Sequence, residues 1–224
     1  VRHGAFDTLT PEAAYWLGFL FADGSVCTSR ARVPSITLGL SACDREHVEQ
    51  FRAFVGSGHA ITDVPPYRLA TGYVGQPKCV LTFGSAQLAQ RVLALGRYSG
   101  PIDGELAASR HFWRGVVDGD GSIGIYLYGS PNGDGMRRRY AAFSVAGQQP
   151  LLDAFNRFLA ANDLPCRKVS PRKSARVCTM TATGRPAERI VHLLYRDAPA
   201  VLRRKAVKAQ EIIALDGLKR PLVA

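Results

Sequence analysis

The sequence predicts an α+β protein made of two pseudo-symmetric units joined head to tail. Each unit is a four-stranded antiparallel sheet with helices on one face. Two observations carry this. The stretches Trp16-Leu-Gly-Phe-Leu-Phe-Ala-Asp-Gly-Ser25 and Trp113-Arg-Gly-Val-Val-Asp-Gly-Asp-Gly-Ser122 align without gaps, 97 residues apart in a chain of 224. After each stretch the same succession of periodic segments recurs, so the units divide at about residues 1–102 and 103–224.

Both stretches read as helices. Thr10 is a good N-cap and Pro11 suits the first helical position. The run Ala13 to Ala22 is almost wholly apolar, which predicts burial on most of the helix surface. The second helix starts between Asp103 and Ser109 and runs to about Asp118. Gly24 and Gly121 are expected as stop signals in the left-handed conformation.

In the first unit, Ser25–Arg30 and Val33–Leu40 read as a hairpin. Asp44–Val55 follows as a helix capped by Asp44, with Val48, Phe51, Phe54 and Val55 inward. Tyr67–Tyr73 and Lys78–Phe83 read as a second hairpin, and Ser85–Leu95 as a helix. In the second unit, Ile123–Tyr128 and Arg138–Val145 flank the turn-rich loop 129–135. Pro150–Ala161 is a helix, Arg167–Ser170 with Arg176–Thr181 a hairpin, Pro186–Leu194 a helix, and Ala200–Leu215 a last helix. Each unit is thus helix, hairpin, helix, hairpin, helix, with one sheet face left free.

Small residues sit four apart on each repeated helix, Gly18 with Ala22 and Gly115 with Gly119, so each presents a face that another backbone can approach closely. Packing these faces together places Asp23 and Asp120 side by side. Two carboxylates at two negative helix ends repel unless a cation lies between them, and oxygen-only ligands suit Mg²⁺ or Ca²⁺. A single apolar helix ending in Asp-Gly is commonplace; its repetition is what packing alone does not explain. An EF-hand loop opening at Asp118 fails, because its sixth position is Ile123 and its twelfth Gly129.

The hydrophobic fraction, 46%, is that of an ordinary globular protein. No apolar run is long enough to span a membrane, and no secretory signal pattern is read. The chain opens at Val1, so a native start is expected upstream. Cys27, Cys43, Cys79, Cys166 and Cys178 form no Cys-x-x-Cys pair and read as reduced residues of an intracellular protein, in cytoplasm or nucleoid. The five histidines show no zinc-site spacing.

Net charge is +11, which calls for a polyanionic partner. Residues 1–105 are neutral, so residues 106–224 carry all of it. Arginine outnumbers lysine 23 to 6. This suits phosphate and guanine recognition, and it is equally what a GC-rich coding genome gives. On the second unit's strands and loops, Tyr126, Tyr128, Arg137, Arg138, Arg139, Tyr140, Arg167, Lys168, Arg172, Lys173 and Arg176 make a basic, tyrosine-bearing surface fit for nucleic acid. The first unit offers Ser29, Arg30, Arg32, Ser35, Thr37, Arg68 and Lys78 in the corresponding places. The alternative is a solvated basic surface.

The segments Tyr15-Trp-Leu-Gly-Phe-Leu-Phe-Ala-Asp-Gly and Phe112-Trp-Arg-Gly-Val-Val-Asp-Gly-Asp-Gly resemble the two signature helices of the LAGLIDADG homing endonucleases, and Leu202-Arg-Arg-Lys205 is similar to that family's downstream pattern. The resemblance implies an αββαββα unit repeated in one monomeric chain, whose two sheets form a saddle over double-stranded DNA. It implies divalent metal, Mg²⁺ with Mn²⁺ or Ca²⁺ as substitutes, on Asp23 and Asp120, with the carbonyls of Ala22 and Gly119 as further ligands. It implies that Lys205 polarises the active-site water, and that Gln148 is the glutamine at the end of the second strand, where the first unit offers Ala42 or Cys43. The implied reaction is a double-strand break with short 3′ overhangs in a long target of about 20 bp.

The chain departs from the family in two places. Asp118 stands where the first unit has Phe21, and little consequence is expected of that. The segment Gly96–Pro101 has no lysine, only Arg97, so one strand is expected to be cut more slowly. Two other functions compete. One is a non-cleaving binder on the same scaffold, an intron-splicing maturase or a DNA-binding regulator, which has no need of Asp23 and Asp120. The other is a small-molecule metal enzyme, which needs a pocket that the sequence does not indicate.

Overall fold

The computed structural model describes every residue except 29–32, 67, 69–71, 73, 97–99, 101, 103, 129–137, 172–176 and 220–224, and the side chains of 128, 138 and 216–219. The first unit runs α1 (Pro11–Asp23), β1 (Gly24–Cys27), β2 (Ser35–Ser41), a 3-10 turn (Ala42–Asp44), α2 (Arg45–Phe54), β3 (Ile61–Val64), β4 (Lys78–Gly84) and α3 (Ala86–Leu95). A short α4 (Gly104–Ala108) leads to the second unit. That unit comprises α5 (Arg110–Asp120), β5 (Gly121–Tyr128), β6 (Arg138–Gly147), α6 (Gln149–Ala161), β7 (Val169–Pro171), β8 (Cys178–Thr183), α7 (Arg185–Tyr195) and α8 (Arg203–Lys219). The strands form two four-stranded antiparallel sheets of matching order, β1-β2-β4-β3 and β5-β6-β8-β7.

Helix α1 begins as expected: Thr10 accepts a hydrogen bond from the Ala13 amide and Pro11 opens the helix. Helix α5 begins later than expected, because Ser109 caps it by accepting from the Phe112 amide and so separates it from α4. Gly24 and Gly121 end their helices in extended conformation, at φ −93° and −97°, not in the left-handed region. Their glycines serve space instead: a Cβ would lie 2.7 Å from the Leu20 carbonyl oxygen and 2.5 Å from that of Val117. Asp44 stands before α2 but makes no capping bond; its carboxylate is taken by Arg204.

The second hairpin of the first unit differs most from expectation. Its outer strand is Ile61–Val64, paired with β4, whereas in the 67–73 stretch Arg68 makes only an isolated bridge to Val74. In the second unit β7 is Val169–Pro171, so Arg167 and Lys168 precede the strand.

One face of each sheet is buried. Along β2, Ile36, Leu38 and Leu40 point into the core and alternate with partly exposed residues. Each repeated tryptophan packs on two phenylalanines of the helix after the first hairpin: Trp16 on Phe51 and Phe54, with ring centroids 5.2 and 6.2 Å away, and Trp113 on Phe155 and Phe158 at 5.0 and 6.0 Å. The two cores therefore repeat in detail. Among the described residues no helix is long and apolar enough to cross a membrane.

Candidate active site at the ends of the repeated helices

Helices α1 and α5 pack backbone to backbone. A Cβ on Gly18 would collide with the Phe112 carbonyl, and one on Gly115 with the Tyr15 carbonyl. Glycine at both crossings is what permits the contact. Near the C-terminal ends Gly119 meets Ala22, and a Cβ there would lie 3.1 Å from an Asp23 carboxylate oxygen. The bare backbone at Gly119 thus leaves room for the Asp23 side chain to lean across to the other helix.

Asp23 and Asp120 are the last residues of α1 and α5, so the packing brings the two carboxylates to one place. Partial burial, and then the negative charge of Asp120, raise the Asp23 pKa from 3.8 to about 6. The nearby charges of Lys205 and Arg204 oppose that rise and do not overcome it. Two crowded carboxylates at two helix ends make an arrangement that favours a cation. Every ligand atom on offer is a hard oxygen, which fits a divalent cation of the Mg²⁺ or Ca²⁺ kind. Among the described residues no group of three or more His, Cys, Asp or Glu could hold a metal ion, so the other ligands would be backbone carbonyls, such as those of Ala22 and Gly119, and a bound phosphate.

Lys205 is buried, 5% exposed, and burial lowers its pKa to about 8. Its Nζ donates to the carbonyls of Val117 at 2.6 Å, Asp118 at 2.6 Å and Gly121 at 2.7 Å. These carbonyls lie at the end of α5 and the start of β5, so Lys205 caps that helix end and places positive charge at its negative pole. An ammonium has three donors. All three meet carbonyls here, whereas the family resemblance implied that Lys205 polarises a water. Gln148 is partly exposed at the end of β6, where it precedes α6. Strand register gives its counterpart in the first unit. Gly24 pairs with Leu38 and Gly121 with Val145, so three residues on Ser41 matches Gln148, in place of Ala42 or Cys43.

Sequence reasoning missed the buried network beside the site. Asp118 is fully buried. It accepts from the hydroxyl of Tyr15 at 2.8 Å, the hydroxyl of Tyr195 at 2.6 Å and the Leu202 amide at 2.7 Å. The Tyr15 hydroxyl also lies 2.9 Å from His47 Nε2, and the other ring nitrogen of His47 lies 3.3 Å from Gln50 Oε1. Burial lowers the His47 pKa to about 4, so the imidazole is neutral at pH 7. Arg114, also fully buried, donates to the carbonyls of Ala200 and Leu194 and lies 5.2 Å over the Tyr15 ring. The signal was present: two charges four apart, Arg114 and Asp118, bracket the small and apolar residues Gly115, Val116 and Val117 in the buried stretch of the helix.

On the free face of the second sheet, Tyr126 stands opposite Tyr140, with rings 6.1 Å apart, and backbone pairing sets Tyr128 opposite Arg138. Nearer the helices that face carries Ser122, Ser144 and Thr181. Arg139 pairs with Leu127, in the alternate register. Arg167 lies off the sheet: its amide and carbonyl bond to Asn156 of α6, and its Nε to the Pro165 carbonyl. Lys168 is exposed in the same connection. On the first sheet, Ser35, Thr37 and Lys78 lie on the free face, with Thr37 bonded to Thr82 at 2.9 Å, and Arg68 is exposed outside the strands. Ser29, Arg30, Arg32, Arg97, Arg137, Arg172, Lys173 and Arg176 lie outside the described residues.

No family model matches the chain, and no curated protein sequence matches it. Solved structures do. I-LtrWI, a LAGLIDADG homing endonuclease bound to target DNA, is similar over 94% of this chain and 92% of that one, at 13% identity and a TM-score of 0.63. The LAGLIDADG meganuclease I-AabMI, bound to uncleaved DNA, is similar over 94% and 91%, at 9% identity and a TM-score of 0.62. I-SmaMI, bound to cleaved DNA, is similar over 93% and 89%, at 14% identity and a TM-score of 0.60; another of its structures was obtained with calcium ions present. The chain has the fold of the single-chain LAGLIDADG homing endonucleases, as its two repeated helices foretold.

Proposed function

We propose that the chain is a metal-dependent homing endonuclease that makes a double-strand break in a long DNA target and leaves short 3′ overhangs. One observation carries this reading: Asp23 and Asp120 meet at the adjoining ends of two helices packed through Gly18 and Gly115, between two sheets that each keep a free face. Solved structures with this fold include homing endonucleases bound to DNA, which supports the same reading.

Asp23 and Asp120 would hold the cation, with the Ala22 and Gly119 carbonyls beside them. Mg²⁺, or Mn²⁺ or Ca²⁺ in its place, would there offset charge on the phosphate and lower the pKa of a nearby water. Lys205 fixes the junction of α5 and β5, and so Asp120, by holding two carbonyls of α5 and that of Gly121. Gln148, which follows β6, would orient a water or phosphate. The free sheet faces would follow the duplex, with Tyr126, Tyr140 and Lys78 among their contacts, while phosphate contacts set position and base edges set sequence.

The units 1–102 and 103–224 would act together as an intracellular monomer, since each repeated helix already has its partner within the chain. Selection of cleaved sites from a random duplex library, with Mg²⁺ or Mn²⁺, tests this reading. Recovery of one long site with 3′ overhangs is expected. Tight DNA binding without cleavage of any sequence would favour the maturase or regulator instead.

A further inference from the structure

We propose that Arg204 is a phosphate-binding residue of the candidate active site and that Asp44 is the residue that positions it. The proposal rests on the endonuclease reading above. A phosphodiester reaching Asp23 and Asp120 adds negative charge to two carboxylates. Lys205 has no donor to offer it, because all three are spent on the carbonyls of Val117, Asp118 and Gly121. The first unit supplies no lysine after α3, where the second supplies Lys205 after α7.

Arg204 stands next to Lys205 at the start of α8 and reaches across to the other unit. Its Nε bonds to both carboxylate oxygens of Asp44, at 3.2 and 3.1 Å. Asp44 is 9% exposed, whereas the Arg204 side chain is 57% exposed. The guanidinium is thus fixed on one edge and open on the other, and its two terminal nitrogens have no partner among the described residues. That open fork suits a phosphate, which a guanidinium meets with two parallel hydrogen bonds. Holding the side chain in advance removes part of the ordering cost of binding.

Position supports the assignment. Arg204 and Asp44 both lie close enough to Asp23 for their charges to act on its carboxyl. They line a cavity of about 350 Å³ between α2 and α8, together with His47, Leu202, Arg203 and Val207. The neighbouring ion pair does not have this character: Arg203 and Glu46 meet at 3.2 Å with side chains 83% and 58% exposed, a geometry worth little.

The test uses the selected duplex, labelled on either strand, with binding measured in EDTA and cleavage in Mg²⁺. Arg204→Ala is expected to lower the slope of log affinity against log salt by about one. It is also expected to slow one strand's cut roughly ten- to hundredfold more than the other's, so that nicked DNA accumulates. Arg204→Lys should keep the salt slope but not the strand balance, because it keeps the charge and loses the fork. Asp44→Ala should keep the slope and show the same strand bias more weakly. An unchanged slope for Arg204→Ala, or equal slowing of both strands, overturns the proposal. If Arg204→Ala lowers the melting temperature below the assay range, Arg204→Lys decides by its strand ratio. If the wild type binds DNA and never cuts, the endonuclease reading fails while the salt slope still judges Arg204. If it does not bind DNA, both fall.

Discussion

The repeated helices touch through two symmetry-related pairs of side chains, and the two pairs are chemically unlike. At one crossing Tyr15 donates to the buried carboxylate of Asp118. At the other, the residues that align with them, Phe112 and Phe21, meet edge to face with ring centroids 5.5 Å apart. The backbones approach equally closely at both, because Gly18 and Gly115 are both bare. Duplication kept the geometry of the interface while its two sides diverged. The polar side also gathers Tyr195, Leu202 and, through Tyr15, His47, so it ties α2, α7 and α8 to the helices that carry Asp23 and Asp120. The aromatic side carries no such ties among the described residues. A self-pairing of two first units would set Tyr15 against Phe21 in place of Asp118 and lose that carboxylate bond, so the difference also marks which unit belongs with which.

The largest effect should come from removing the polar hub. Asp118→Ala leaves two hydroxyls, an amide and the Arg114 charge uncompensated in the interior, and about 3–5 kcal/mol of stability should be lost in urea unfolding. Phe21→Leu on the aromatic side should cost only about 1 kcal/mol. Equal losses would mean that the two crossings are energetically alike despite their chemistry.

Next in size is Tyr15→Phe, which deletes one hydroxyl and leaves Asp118 and His47 each short of a partner. About 1–3 kcal/mol is expected, and little of it should remain in an Asp118→Ala background. Full additivity of the two changes would break the proposed link.

A smaller asymmetry concerns the tryptophans. Trp113 donates to the Ala107 carbonyl at 2.7 Å, whereas buried Trp16 has no hydrogen-bond partner for its indole nitrogen among the described residues. Trp113→Phe should therefore cost about 1 kcal/mol more than Trp16→Phe. The reverse order would contradict the packing described.

The smallest effect is one of pH. The Asp23 pKa is raised in the fold, to about 6. Folding therefore favours its protonated form, and that contribution is present below the unfolded value and lost as pH rises through about 6. Without metal, Asp23→Asn should gain in melting temperature over the wild type between pH 4 and pH 6, then hold level. A difference that stays flat over that range would mean that neither burial nor Asp120 raises the Asp23 pKa.

Much of this was legible in the sequence, and what was not has particular causes. The repeated helices announced themselves because a tryptophan, small residues and an Asp-Gly end recur in register. Strand β3 did not, since Ile61–Val64 is a short edge strand with three of its four residues exposed, while Tyr67–Tyr73 alternates more convincingly. The roles of Asp118 and Lys205 were hidden because a carboxylate near a helix end and a lysine near a helix start both read as solvated or catalytic. Their partners lie more than 70 residues away along the chain. The pairing of Asp44 with Arg204 spans 160 residues and leaves no local pattern at all.

The central claim is that Asp23 and Asp120 form one metal-dependent cleavage site. Its most direct test measures DNA affinity and double-strand cleavage side by side for the wild type, Asp23→Asn and Asp120→Asn. Each variant removes a negative ligand, so cleavage in Mg²⁺ should vanish in both. Affinity in metal-free buffer should hold or rise, because less negative charge faces the phosphates. Cleavage that survives in either variant at wild-type rate would contradict the account.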